Sequence, residues 1–189
     1  GTVELTGGRF YNAGSSLSGA ATIGANADLE VSGAATKEFY CYGNKDTVIR
    51  NYTEAADAAE TMTFRVYTSS SPKFTIRGTR DTRLTATVCD DVGAGTYTVA
   101  WNPPDAAQVL TLAKHRWNVS NGGFRAETGV IRFAEGASFA KGFFSVASGA
   151  KVSFAADAGD VSGLPLVLET GAKVVVESGA CAKVKSLSI

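Results

Sequence analysis

AEGASFAKGFFSVASGAKVSFAADAGDVSGLPLVLETGAKVVVESGACAKVKSLSI, residues Ala134 to Ile189, is the stretch that decides how the rest of the chain is read. A Gly-Ala pair recurs at Gly136-Ala137, Gly149-Ala150, Gly171-Ala172 and Gly179-Ala180. Beside the pairs lie short runs that alternate apolar with polar or small residues, clearest at Val152/Phe154, Leu164/Leu166/Leu168 and Val174/Val176. Alternation at period two sends Val152, Phe154, Leu166, Leu168, Val174 and Val176 to one side of a strand, and Ser153, Val167 and Val175 to the other. Glycine at a corner accepts positive φ without a Cβ penalty, and the neighbouring alanine keeps the corner thin.

So short a strand cannot bury its apolar side alone, but stacked strands can, because each coil covers the next. The expected fold is therefore all-β, a right-handed parallel β-helix, or solenoid, of about eight or nine coils of about 20 residues each. The Gly-Ala pairs are unevenly spaced, which points to irregular coils. The alternative is an antiparallel β-sandwich, since turns every ten or so residues between Thr63 and Leu112 suit that fold as well.

Working outward, the amino-terminal end repeats the pattern. Val3 and Leu5 alternate before Gly7-Gly8, and ATIGANADLEVSG (Ala21 to Gly33) carries Gly24-Ala25 into Leu29 and Val31. One solenoid domain over residues 1–189 is the economical reading, expected to be a piece of a longer secreted repeat protein. In the middle, Phe64/Val66, Phe74/Ile76, Leu84/Ala86/Val88, Tyr97/Val99/Trp101 and Leu110/Leu112 read as strands. Phe39 and Cys41 read as inward positions, as does Val48. Asn44-Lys45-Asp46, Asp90-Asp91, Gly122-Gly123 and Pro103-Pro104 read as turns or loops. TEAADAAET (Thr53 to Thr61) has helical composition, with Thr53 as a candidate cap, but suits only a loop or a turn or two of helix.

Of 189 residues 44% are apolar, enough for a core, and the 18 basic residues balance the 18 acidic ones. Nothing here advertises nucleic acid, and no run approaches the length a membrane helix needs. The chain opens on Gly1, without a basic or apolar leader pattern. Cys41, Cys89 and Cys181 form no CxxC motif. They read as small buried hydrophobes, with a single disulfide between stacked coils as the alternative.

FSVASGAKVSFAADAG (Phe144 to Gly159), LVLETGAKVVVESGA (Leu166 to Ala180) and ATIGANADLEVSG resemble the passenger β-helices of bacterial autotransporters, and more closely the autotransporter-associated β-strand repeats. GAGTYTVAWNPPDAAQVLTL (Gly93 to Leu112) is similar to the Trp-Asn strands that interrupt such arrays. The resemblance covers about half the chain. It implies a bacterial extracellular or surface-displayed solenoid of the stalk, adhesin or self-associating kind.

Candidate chemistry is sparse. Arg65, Arg77, Arg80 and Arg83 form the densest basic run, and with Trp117 they are the candidate glycan or partner contacts. Tyr40, Tyr42, Tyr52 and Tyr67 are further candidates for stacking on sugars. A polysaccharide lyase would pair such arginines with carboxylate-bound calcium, for which Asp90-Asp91 could be imagined as ligands. No acidic cluster recurs at coil spacing, however, and His115 has no partner motif for a triad or a zinc site. Asn51-Tyr52-Thr53 and Asn118-Val119-Ser120 match the glycosylation acceptor pattern. The expectation is a structural or adhesin-type protein, not an enzyme, with no catalytic residue, metal or cofactor. Its expected partners are further copies or neighbouring repeats, then glycans. A glycan-binding module is the first alternative and a lyase the second.

Overall fold

The structure is a computed structural model that describes residues 1–13, 23–42, 46–67, 73–92, 96–119, 121–139 and 141–189. Strands follow one another in rungs. The first rung holds β1 (Thr2–Leu5) and β2 (Gly8–Ala13), and the second β3 (Asp28–Val31), β4 (Lys37–Tyr42) and β5 (Thr47–Ile49). The third holds β6 (Asn51–Glu54), a 3-10 turn at Ala56–Ala58, β7 (Met62–Tyr67) and β8 (Lys73–Ile76). Next come β9 (Thr82–Leu84), β10 (Thr87–Val92) and β11 (Tyr97–Trp101), then β12 (Val109–Ala113), β13 (Arg116–Asn118) and β14 (Gly122–Ala126). The chain continues with β15 (Val130–Ala134), β16 (Ser138–Phe139) and β17 (Phe143–Val146), then β18 (Lys151–Phe154) and β19 (Pro165–Leu168). It ends with β20 (Lys173–Val176) and β21 (Ser186–Ser188).

Every strand pair among the described residues is parallel, so the sandwich alternative falls and the fold is a β-solenoid of about seven turns. The turns are fewer than expected because each coil uses more chain: Thr82 pairs with Leu110, and Lys151 with Lys173. Three faces result. One stacks β1-β3-β6 and then β9-β12-β15-β18-β20, a second β2-β4-β7-β10-β13-β16, and a third β5-β8-β11-β14-β17-β19-β21.

Exact register turns each inward position into a column through the core. Phe10, Phe39, Phe64, Val88, Trp117 and Phe139 succeed one another on the second face. Phe74, Val99, Phe124, Phe144 and Leu166 do so on the third, and Leu84, Leu112, Phe133 and Phe154 on the first. Phe133 and Phe154 stack at 5.0 Å, and Trp117 and Phe139 at 5.8 Å. Each residue therefore buries its surface against its equivalents one rung away, at about 25 cal/mol per Å² of apolar area.

Gly136, Gly149, Gly171 and Gly179 all take positive φ, as the Gly-Ala corners require, whereas Gly24 does not. Gly122-Gly123 is no turn: it opens β14 inside the ladder. A Cβ on Gly123 would fall on the Phe143 carbonyl, and one on Gly122 on the Tyr97 carbonyl, so glycine here serves close approach of adjacent rungs.

Other local expectations change for tertiary reasons. Leu84/Ala86/Val88 is not one strand: a corner at Thr85-Ala86 sends β9 and β10 to different faces, and all three side chains stay buried. Asp90 and Asp91 lie in β10 and not in a turn. Val48 faces outward between buried Thr47 and Ile49. Thr53 belongs to β6, so the short turn after it starts at Ala55 without a side-chain cap. Asn44 and Lys45 lie outside the described residues. Cys41 is buried, Cys89 is partly buried with an Arg65 guanidinium nitrogen 3.6 Å from its sulfur, and Cys181 is exposed; no disulfide joins them, so only the first matches the expected small hydrophobe.

The ladder of the first face is interrupted between β6 and β9. Side chains bridge the gap. The Glu54 carboxylate accepts hydrogen bonds from the Thr85 backbone N–H (2.9 Å), the Thr85 hydroxyl (2.8 Å) and the Tyr52 hydroxyl (2.6 Å). Arg80 reaches the Thr53 hydroxyl at 2.8 Å. Burial still pushes the Glu54 carboxyl above its ordinary range, with those hydrogen bonds opposing the shift.

Candidate functional site

The five candidate contacts from the sequence do not share a surface. Arg65 projects from β7 on the second face, where its Nε sits 2.5 Å from Glu38; Arg9 grips the other oxygen of Glu38 at the same distance. Arg83 is on β9 of the first face and pairs with Glu135 at 2.6 Å. Arg77 and Arg80 occupy the corner between β8 and β9. Trp117 is 1% exposed and lies in the core among Phe124, Phe139 and His115, so it is removed from any surface contact.

Tyr52 is likewise buried. Tyr40 does stack on Tyr11 at 4.7 Å across adjacent rungs of the second face, with Arg9 beside it. The side chains of Tyr42, Tyr67, Asp90 and Asp91 lie outside the described part of the structure. Asn51 is 5% exposed and its side chain is engaged by Asp28 and Thr79, which closes that glycosylation acceptor. Asn118 is exposed on β13, and Ser120 of its acceptor pattern lies outside the described residues. Among the described residues no group of three or more His, Cys, Asp or Glu converges as metal ligands would. Nor is any helix long and apolar enough to cross a membrane.

Two other features stand out. The first is the carboxy-terminal rung. Val174 and Val176 continue the inward columns of Val152 and Phe154, and Leu187 continues that of Leu166. Yet Val174 is 39% exposed, and Val176 and Leu187 are each 53% exposed, in the last rung of the described residues. Sequence alternation had marked Val174 and Val176 as inward, but a residue at the edge of the stack is inward without being buried.

The second is a cleft at the corner between the third and first faces. Registers Ile49↔Ile76 and Ile76↔Trp101, continued by Gly78 N–H to the Arg50 carbonyl and Asn102 N–H to the Ile76 carbonyl, stack Arg50, Arg77 and Asn102 on successive rungs. Glu127 follows on the next rung. A cleft of about 360 Å³ opens over Arg50, Arg77, Thr79 and Asn102, walled by Ala25, Asn26 and Pro103-Pro104. A second of about 400 Å³ adjoins it through Arg77 and Asn102 and runs to Asp46, Lys73 and Glu127. Arg50 is held by Asp28 through two bonds of 2.8 and 2.6 Å, and Lys73 by Glu127 at 2.8 Å. Asp46 accepts the Lys73 backbone N–H at 2.8 Å. The Arg77 side chain makes no ion pair or hydrogen bond among the described residues.

His115, the one histidine of the chain, is wholly buried, and neither ring nitrogen completes a hydrogen bond among the described residues. Burial drives its pKa down to about 3, opposed by the nearby Ala86 backbone. It therefore stays neutral at any ordinary pH and has no access to a substrate. Cys41 is equally enclosed: burial pushes its thiol up to about 12, against a 3.0 Å contact with the Tyr97 hydroxyl. Neither group is placed for acid-base or nucleophilic work.

Comparison with protein-family models, with curated proteins and with solved structures finds no match, so the function of this chain is argued from its own geometry.

Proposed function

We propose that this protein is an extracellular structural β-solenoid that associates end to end, β20 of one copy receiving β1 of the next. The observation that carries this reading is the exposed apolar rung at Val174, Val176 and Leu187. Its proposed occupant is a rung of the same kind from a second copy: β1 is the outer described strand of the first face on one side and β20 on the other. Their patterns match. With Val174 over Val3 and Val176 over Leu5, the inward columns run on without a break, and Lys173 comes within diagonal reach of Glu4. Such a head-to-tail contact does not close on itself, so it builds linear assemblies. The resemblance to autotransporter passenger repeats supports the extracellular setting. The reading assigns the protein no catalytic step.

Magnitudes make the contact weak. Covering three half-exposed side chains is worth roughly 1 kcal/mol each. Association costs at least about 4 kcal/mol, so the ladder hydrogen bonds, at about 1 kcal/mol net apiece, must tip the balance. Sedimentation velocity over a wide concentration range tests this. Wild type is expected to form larger species as concentration rises, and Val176→Lys to remain monomeric with an unchanged thermal midpoint, since the residue is exposed. A wild type that stays monomeric throughout, or a Val176→Lys variant that associates equally well, refutes the proposal.

A further inference from the structure

The corner cleft carries a second assignment that goes beyond end-to-end association. We infer that Arg77 and Asn102 form a binding site for a carboxylated saccharide, the guanidinium taking the sugar carboxylate.

The argument begins with charge. In a parallel ladder in register, Arg50 and Arg77 stand about 4.8 Å apart along the stack, an arrangement that disfavours two cations. Asp28 pairs with Arg50, whereas Arg77 makes no ion pair among the described residues. The carboxylates that line the adjoining cleft both contact Lys73, Glu127 its ammonium group and Asp46 its backbone N–H. Arg77 is the cation of the cleft that is not tied into an ion pair, and its planar fork matches a carboxylate through two parallel hydrogen bonds.

The rest of the lining narrows the ligand. The Thr128 hydroxyl donates to the Pro103 carbonyl at 2.7 Å and lies 3.1 Å from the Asn102 side-chain oxygen, and the Asn102 side-chain amide N–H groups donate to no group among the described residues. Asn26 adds a second amide. The spare acceptor positions of Asp46 and Glu127 in the adjoining cleft suit hydroxyl donors and repel a second negative charge. The walls are Ala25 and the rigid Pro103-Pro104, with no apolar recess for a large side chain. Many hydroxyls, one carboxylate per ring and a flat ring to lie against proline describe a sugar acid better than an acidic peptide or a phosphate. Both clefts fall in the size range of about 300–1,000 Å³ usual for small ligands, and their junction at Arg77 and Asn102 gives room for more than one ring.

The test uses the full chain and trigalacturonate as probe, followed by calorimetry and by NMR shift mapping. Saturable binding is expected, with shifts centred on Arg77 and Asn102 and weakened by added salt. Arg77→Ala should weaken binding by about tenfold or more, the loss of one charge-assisted pair. Methyl-esterified trigalacturonate, with the same shape and no charge, should bind wild type as poorly as the acid binds Arg77→Ala. Arg77 is exposed, so the variant should keep its thermal midpoint, and Val176→Lys should bind the acid as wild type does. Absence of saturable binding overturns the assignment, as does equal affinity of Arg77→Ala. Equal or tighter binding of triglutamate or inorganic phosphate overturns the saccharide part.

Discussion

Lowering the pH below about 6.5 is expected to destabilise this fold through His115, before most carboxylates respond. In the unfolded chain the imidazole titrates near its ordinary value, whereas burial among Trp117, Phe124 and Phe139 holds it down to about 3 in the fold. Between those values the unfolded state binds one proton more than the native state. Stability therefore falls as pH falls, and the unfolding constant rises about tenfold for each pH unit. Over two units the effect is about a hundredfold. Glu54 works the other way: its carboxyl is raised by burial, so the fold takes that proton first and gains stability as pH drops. Asp28, Glu135, Glu169 and Glu177 are all lowered in the fold, mainly by hydrogen bonds from Arg50, Arg83, Arg125 and Arg132 respectively, and Glu177 lies at about 2. They act in the same direction as His115, but only within and below the ordinary carboxylate range. His115→Leu isolates the imidazole from all of these. Urea midpoints measured from about pH 7.5 to about pH 4.5 should fall more steeply for wild type than for His115→Leu. Parallel profiles for the two proteins refute the reasoning, and so does an imidazole NMR signal that titrates near its ordinary pKa in the folded protein.

Gly123→Ala should cost about 1–3 kcal/mol, because the new methyl group meets the Phe143 carbonyl of the next rung, and urea denaturation reads this as a lower midpoint. The thiols should separate by reactivity: a thiol reagent is expected to modify Cys181 quickly in the native protein and to reach Cys41 only on unfolding, since burial raises the Cys41 thiol to about 12.

The sequence carried the fold further than the site. Period-two alternation and the Gly-Ala corners were enough to predict stacked parallel strands, because both are local: a side chain's face follows from its place in its own strand, and a corner glycine from its own φ. Where local grammar was ambiguous, the reading slipped. Gly122-Gly123 has turn composition but fills a crowded rung, and Leu84/Ala86/Val88 alternates as one strand would while bending round a corner. Trp117 looked like a loop aromatic because β13 is only three residues long, too short to show its phase.

Local pattern specifies the repeating element and most core residues, among them Val152, Phe154 and Leu166. Stacking of the coils settles who neighbours whom. Coils of unequal length set the register, and register alone stacks Arg77 between Arg50 and Asn102, gives Asp28 to Arg50, and sets Val176 above Phe154. The physical reason is that each rung is specified by short-range preferences, while charge balance and burial depend on contacts between residues some twenty or more positions apart, which no local pattern encodes.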